Sequence, residues 1–211
     1  GTPTLAPAVL VHGFTGSKED FIALLQSLAQ AGREVVAIDL PGSNQSPGPE
    51  TLPLPAGAQR PDYRLASLGG VVAEVCDLAG AGRPVHLVGH SLGGLVARET
   101  ALSKTTELLS LTLMCSGPGA FSGEGAARVR AVIAALADDP TPERLRELWE
   151  EHVERETAQR VADPEIREFL RERLLAGSPE GLLRLAENLL HADDRVAELA
   201  ATGLATFVLY G

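Results

Sequence analysis

The sequence predicts an α/β protein: a mostly parallel central sheet with helices on both faces, and an all-helical cap inserted after the strand ending near Met114. Three observations carry this expectation. From Ala8 to Met114 short apolar runs alternate with helix-period segments, the pattern of parallel strands joined by crossover helices. One run, Val85 to Val88, stops at Gly89-His90-Ser91-Leu92-Gly93-Gly94 and passes straight into a helix-compatible run. From Glu124 to Ala201 the chain becomes dense in Arg, Glu, Leu and Ala, with helical periodicity and no strand-like run.

The elements follow in order. Ala8–Val11 reads as a buried strand, followed by His12-Gly13-Phe14-Thr15-Gly16-Ser17. Lys18–Ala31 reads as an amphipathic helix, with Phe21, Leu24, Leu25 and Leu28 at i, i+3, i+4 and i+7. Ser17 with Asp20 three residues on marks its start, and Gly32 its stop. Glu34–Leu40 is the next strand, and a Pro-, Gly- and Ser-rich stretch over Ser43–Pro61 reads as an exposed loop. Arg64–Leu78 is helical, although Gly69-Gly70 weakens it. Pro84–Val88 is the strand before Ser91, Leu92–Lys104 the helix after it, and Leu108–Met114 a further strand. Helices are expected over Gly125–Ala137, Pro142–Val161, Pro164–Ala176, Pro179–Leu190 and Asp193–Ala201; prolines at 142, 164 and 179 sit just inside helix starts. Leu204–Tyr210 returns to strand character. The organisation read from this is a core over 1–118, a helical cap over 119–192, and a return to the core over 193–211.

Composition narrows the function classes. With 45% hydrophobic residues, 211 residues suffice for one domain with a large core, or a core plus a lid. Acids outnumber bases 28 to 18, a formal net charge of −10, which speaks against nucleic acid and anionic membrane as partners. No apolar run reaches membrane-spanning length and no secretory leader is visible, so a cytoplasmic location is expected. Few Lys, many Arg and abundant Ala, Gly and Leu suggest a GC-rich bacterial genome. Cys76 and Cys115 lie in apolar contexts and read as buried free thiols. No ligand-spaced His/Cys cluster and no phosphate loop appears, so no metal or organic cofactor is expected.

The chemistry concentrates at Ser91. A sharp strand-to-helix turn forces its backbone into strain and lifts the hydroxyl above the sheet, at a helix N-terminus that favours negative charge. Bulky side chains at Gly89 and Gly93 would collide with the neighbouring strand or helix. His12-Gly13-Phe14 also falls at a strand's carboxyl end, where ligands of parallel sheets sit.

Three stretches in this order resemble the α/β-hydrolase family: Val9 to Ser17, Ile38-Asp39-Leu40-Pro41-Gly42-Ser43 with Ser46, and Gly89 to Gly94. The helical region after Met114 is similar to the cap of that family. The resemblance implies that Ser91 is the nucleophile. It also implies that the backbone N–H groups of Phe14 and Leu92 form the oxyanion hole, supported by Gly13, Gly89 and Gly93. By the same resemblance His12 orients its loop rather than acting as base, and His90 points away from the site. His86 reads as core and His152 as surface. Phe14 and Trp149 are candidate walls of a pocket for a small-molecule acyl substrate.

A serine needs a base and an orienting acid. In the family these follow the strands after the cap, whereas the sequence stops at Leu209-Tyr210-Gly211, and Cys115-Ser116-Gly117 offers no carboxylate. His191, followed by Asp193 and Asp194, is the internal candidate base, with a helix-end role near the cap hinge as the plainer expectation. The general base and acid are therefore expected beyond Gly211, and the 211 residues alone are expected to be inactive. The implied function is a serine hydrolase cleaving a carboxylic ester, lactone or thioester through acyl-Ser91. A lyase of the menaquinone-pathway type is the first alternative, although that branch carries Tyr and Arg where this chain has His90 and Leu95. A perhydrolase, a carbon–carbon hydrolase and a non-catalytic ligand-binding protein are the others. The sequence assigns no oligomeric state.

Overall fold

In the computed structural model, residues 4–53 and 62–210 are described. The apolar runs become β1 (Leu5–Val11), β2 (Arg33–Ile38), β3 (Val85–His90), β4 (Leu108–Met114) and β5 (Thr206–Leu209). They form one sheet in the order β2-β1-β3-β4-β5, with every neighbouring pair parallel. A parallel sheet is covered on both faces, which is why its strands read as near-continuous apolar runs. Val9, Val11, Leu87 and Leu111 face one side, packed with Leu68 and Val72 of α2 (Leu65–Gly80) and Leu92, Leu95 and Val96 of α3 (Leu92–Ser103). Ala8 and Leu10 face the other, against Phe21 and Leu25, the latter on α1 (Ile22–Gln30).

Gly69, which weakened the helix forecast, sits where α2 crosses α3. A Cβ there would stand 3.0 Å from both Glu99 Cβ and the Thr100 backbone N, while the Thr100 hydroxyl donates to the Gly69 carbonyl at 3.0 Å. The missing side chain lets the two helices approach.

The segment between β4 and β5 is helical: α4 (Gly123–Leu136), α5 (Pro142–Leu148), a π-helical turn (Trp149–Val153), α6 (Glu154–Arg160), α7 (Pro164–Ala176), α8 (Pro179–His191) and α9 (Val196–Ala201). The three prolines occupy first-turn positions behind capping side chains. Thr141 accepts from the Arg144 amide, Asp163 from those of Glu165 and Ile166, and Ser178 from that of Gly181. Leu136, Leu145, Leu148, Leu182 and Leu183 form this segment's own core. Polar contacts tie it to the sheet domain. Arg173 pairs with Asp20 at 2.5 Å, the Ser178 amide donates to the Gly42 carbonyl, Asn188 donates to the Tyr63 carbonyl, and Arg98 donates to the Asp193 carbonyl.

Several expectations are corrected. The first helix opens as a 3-10 turn over Lys18–Phe21, and the helix forecast over Pro142–Val161 is broken by the π turn. The last forecast helix begins at Val196, not Asp193, because the preceding residues lie against Gly119 and Arg98. In the forecast exposed loop, Gly48 and Pro49 are buried and Pro49–Thr51 forms a 3-10 turn; residues 54–61 lie outside the described residues. Cys76 is buried, and burial pushes its thiol up to about 12. Cys115 is exposed, because a φ of +49° at the end of β4 turns it out of the strand's alternation. His86 is only half-buried and pairs with the Ser110 hydroxyl at 2.7 Å. Among the described residues no helix is long and apolar enough to cross a membrane.

Candidate functional site

β1 is flanked by β2 on one side and β3 on the other, so the chain reverses its direction of growth there. The carboxyl ends of β1 and β3 therefore border the crevice where parallel sheets place their ligands. His12-Gly13-Phe14 leaves β1 at this point and Ser91 leaves β3. The two turns touch: a Cβ on Gly13 would stand 3.1 Å from Ser91 Cβ and 2.9 Å from His90 Nδ1.

Ser91 has φ 51° and ψ −116°, a conformation in which L residues are strained. Its neighbours make the bend possible. A Cβ on Gly89 would meet the Gly93 carbonyl oxygen at 2.3 Å, and one on Gly93 would meet those of Val11 and His12 at 2.4 Å. The first turn of α3 is thus pressed against the ends of both β1 and β3. The Ser91 amide donates to the Met114 carbonyl at 2.9 Å, and Leu92 is fully buried behind it.

His12 is almost completely buried. Its Nε2 accepts from the Leu40 amide at 3.0 Å, so Nδ1 carries the proton and donates to the Gly13 carbonyl at 2.7 Å. Both ring nitrogens are used to fasten the β1 turn to the end of β2. Burial, the largest influence, holds this imidazole below its ordinary pKa, with the Gly13 hydrogen bond and then Asp39 and Asp20 opposing. The ring is a neutral strut at pH 7.

Phe14 lies between the sheet's core and that of the helical segment and packs against both. Trp149 is buried and lines a cavity of about 140 Å³, together with Thr15, Val132, Leu148, Leu170 and Arg173. The cavity thus begins one residue beyond Phe14. Sequence reasoning missed Arg173, whose guanidinium reaches the Ser17 hydroxyl and Asp20 and lies 5.6 Å from the Phe169 ring. Nothing in its local sequence sets it apart from the other arginines of the segment.

The other histidines lie near and beyond the site. The His90 ring lies against Gly13, and His152 is exposed as expected. His191 Nδ1 bonds the Glu187 carbonyl at 2.9 Å, and its ring lines a separate cavity with Arg98, Glu99 and Arg195. Among the described residues, the Ser91 hydroxyl makes no hydrogen bond to any histidine, and no group of three His, Cys, Asp or Glu side chains is placed to hold a metal ion.

Comparison with known proteins places this arrangement. A family model described as the alpha/beta hydrolase fold matches residues 7–160. An sn-1-specific diacylglycerol lipase of Danio rerio is 30% identical over 168 residues, covering 79% of this chain and 46% of the relative. The chain spans about half the length of the curated relatives of this kind that it matches. A hydrolase from Pseudomonas aeruginosa superposes with a TM-score of 0.71 at 26% identity, covering all of this chain and 73% of that structure. A structure from a study of Nitrososphaera carboxylesterases superposes at 0.72 with 19% identity, over 99% of this chain and 72% of that one, a likeness of fold alone. With its parallel sheet, crossover helices and a family match covering most of its length, the chain belongs to the alpha/beta hydrolase fold family.

Proposed function

We propose that the protein is a serine hydrolase acting on a carboxylic ester, lactone or thioester. The observation that carries the reading is the contact of two turns: strained Ser91 at the start of α3, with the His12-Gly13-Phe14 turn packed against its Cβ. In this reading Ser91 Oγ attacks the acyl carbon and gives its proton to a histidine base. The carbonyl oxygen becomes an oxyanion held by the Phe14 and Leu92 N–H groups. Collapse of the tetrahedral intermediate expels the alcohol or thiol, which takes the proton from the base, and leaves acyl-Ser91. Water, deprotonated by the same base, then releases the acid and restores the serine.

In this reading the base and its acid come from the whole protein, because among the described residues no histidine is hydrogen-bonded to the Ser91 hydroxyl and His12, His86 and His191 are bonded to other groups. The helical segment over 119–192 serves as a lid, and the cavity at Thr15, Leu148 and Trp149 takes the acyl side of the substrate. Its volume, about 140 Å³, suits a short alkyl or single-ring acyl group. The likeness to a diacylglycerol lipase supports ester chemistry.

The test is a fluorophosphonate probe and a panel of p-nitrophenyl esters on the full-length protein. Wild type is expected to be labelled at Ser91 and to turn over short acyl esters, and Ser91→Ala to lose both, with turnover falling by at least about 10⁴-fold. An unlabelled wild type whose ligand binding survives Ser91→Ala would replace the enzyme reading with that of a binding protein.

A further inference from the structure

The peptide between Ser91 and Leu92 is held on its carbonyl side by a residue outside the G-x-S-x-G turn. The Ser116 hydroxyl donates to the Ser91 carbonyl oxygen at 2.9 Å, and the Gly94 amide donates to the same oxygen at 2.9 Å. Ser116 is almost completely buried. Its fit is tight: a Cβ on Gly94 would stand 2.3 Å from Ser116 Oγ, so the second glycine of the Gly93-Gly94 pair makes room for this hydroxyl. Ser116 is in turn fixed from β5. The Tyr210 hydroxyl donates to the Ser116 carbonyl at 2.9 Å, and the Cys115 amide donates to the Leu209 carbonyl at 2.7 Å.

The peptide group is a rigid plane in which C=O and N–H point in opposite directions. The Ser91 carbonyl and the Leu92 N–H belong to one such plane. A hydrogen bond that fixes the carbonyl therefore also aims the N–H. The β4 end grips Ser91 twice: Met114 accepts its amide at one end, and Ser116 donates to its carbonyl at the other.

We infer that Ser116 is a positioning residue that aims the Leu92 N–H at the developing oxyanion. This rests on the acyl-Ser91 reading above. Ser116 touches no reacting atom and acts through the shared peptide plane, and Gly94 is required because any side chain there would displace it.

The experiment measures ester turnover by the full-length protein carrying Ser116→Ala, Gly94→Ala or both. In Ser116→Ala, kcat is expected to fall roughly tenfold, less than the full loss of an oxyanion donor, with KM within about twofold of wild type. The Ki of a trifluoromethyl ketone, which mimics the tetrahedral oxyanion, rises by the same factor as kcat/KM falls. Gly94→Ala gives a comparable loss, and the double variant is no worse than the more impaired single, because both changes remove one hydrogen bond. A crystal structure of Ser116→Ala is expected to show the Ser91–Leu92 peptide rotated or in two orientations. Wild-type kcat in Ser116→Ala, a loss confined to KM, or an unmoved peptide would each overturn the inference. A wild type with no esterase activity and no probe labelling sinks the acyl-enzyme reading instead, and the peptide orientation in Ser116→Ala still decides this one.

Discussion

His12 illustrates how one buried ring can tie two loops together. Its ring bridges the β1 turn and the end of β2 through both nitrogens, and Leu40 N–H can be accepted only by the neutral form. Because burial lowers its pKa in the folded chain, the unfolded chain takes up the proton first as pH falls. The stability His12 contributes is whole above about 6.5 and is lost as pH drops through its lower folded value. His86, lowered chiefly by partial burial and then by Arg33, adds in the same direction. The urea midpoint of wild type is therefore expected to fall more between pH 7.5 and pH 5.5 than that of His12→Gln. Equal slopes would show that the ring is not the titrating strut. The motif was visible at this scale: Ser91 takes the strained backbone its turn predicted, and Gly13, Gly89 and Gly93 stand where a side chain would collide with the neighbouring turn. Ser116 and Arg173 were not, because a serine after a strand and an arginine on a charged helix carry no local mark. Their roles appear only when chain segments 25 and 156 residues apart meet.

Among the elements, α3 does more than follow the Ser91 turn. Arg98, about two helical turns beyond Ser91, is buried and donates to the Pro118 carbonyl at 2.5 Å and the Asp193 carbonyl at 3.0 Å. One guanidinium thus holds both the connection from β4 to α4 and the connection from α8 to α9. Glu99, also buried, pairs with Arg98 and with Arg195, which in turn pairs with Glu198. Gly119 completes the junction, since a Cβ there would stand 2.9 Å from the Asp194 amide nitrogen. Removing one partner of a buried ion pair strands the other, so Arg98→Ala is expected to destabilise the protein by about 3–5 kcal/mol. Thermal denaturation should detect a fall of about 2–4 °C per kcal/mol, and limited proteolysis should cut first near Gly119 and Asp194. Unchanged melting and cleavage would mean that the junction is held by apolar packing alone. The sequence announced helix starts well, through prolines at 142, 164 and 179. It did not announce the π turn at Trp149–Val153, which no glycine or proline marks and which places Trp149 on the cavity wall.

At the scale of the 211 residues, the informative surface is β5. Phe207, Val208, Leu209 and Tyr210 are each more than half exposed at the edge of the sheet. An exposed apolar edge strand is a template for pairing with other chains. The 211-residue chain is therefore expected to self-associate with rising concentration in light scattering, and Val208→Lys to suppress this. A monodisperse wild-type chain at high concentration would refute it. Which parts could be read early follows from the range of the forces involved. Apolar periodicity, proline and glycine signals and short motifs act over a few residues, which is why the α/β class, the order of its strands and the strained turn at Ser91 were legible in the amino-acid order. Tertiary structure alone decided which glycine of the Gly69-Gly70 pair is a crossing point, that Cys115 faces outward, that one buried arginine clasps the β4–α4 and α8–α9 connections, and that Ser116 grips the Ser91 carbonyl. Each of those depends on desolvation and close packing between distant segments, and neither exists until the chain has folded.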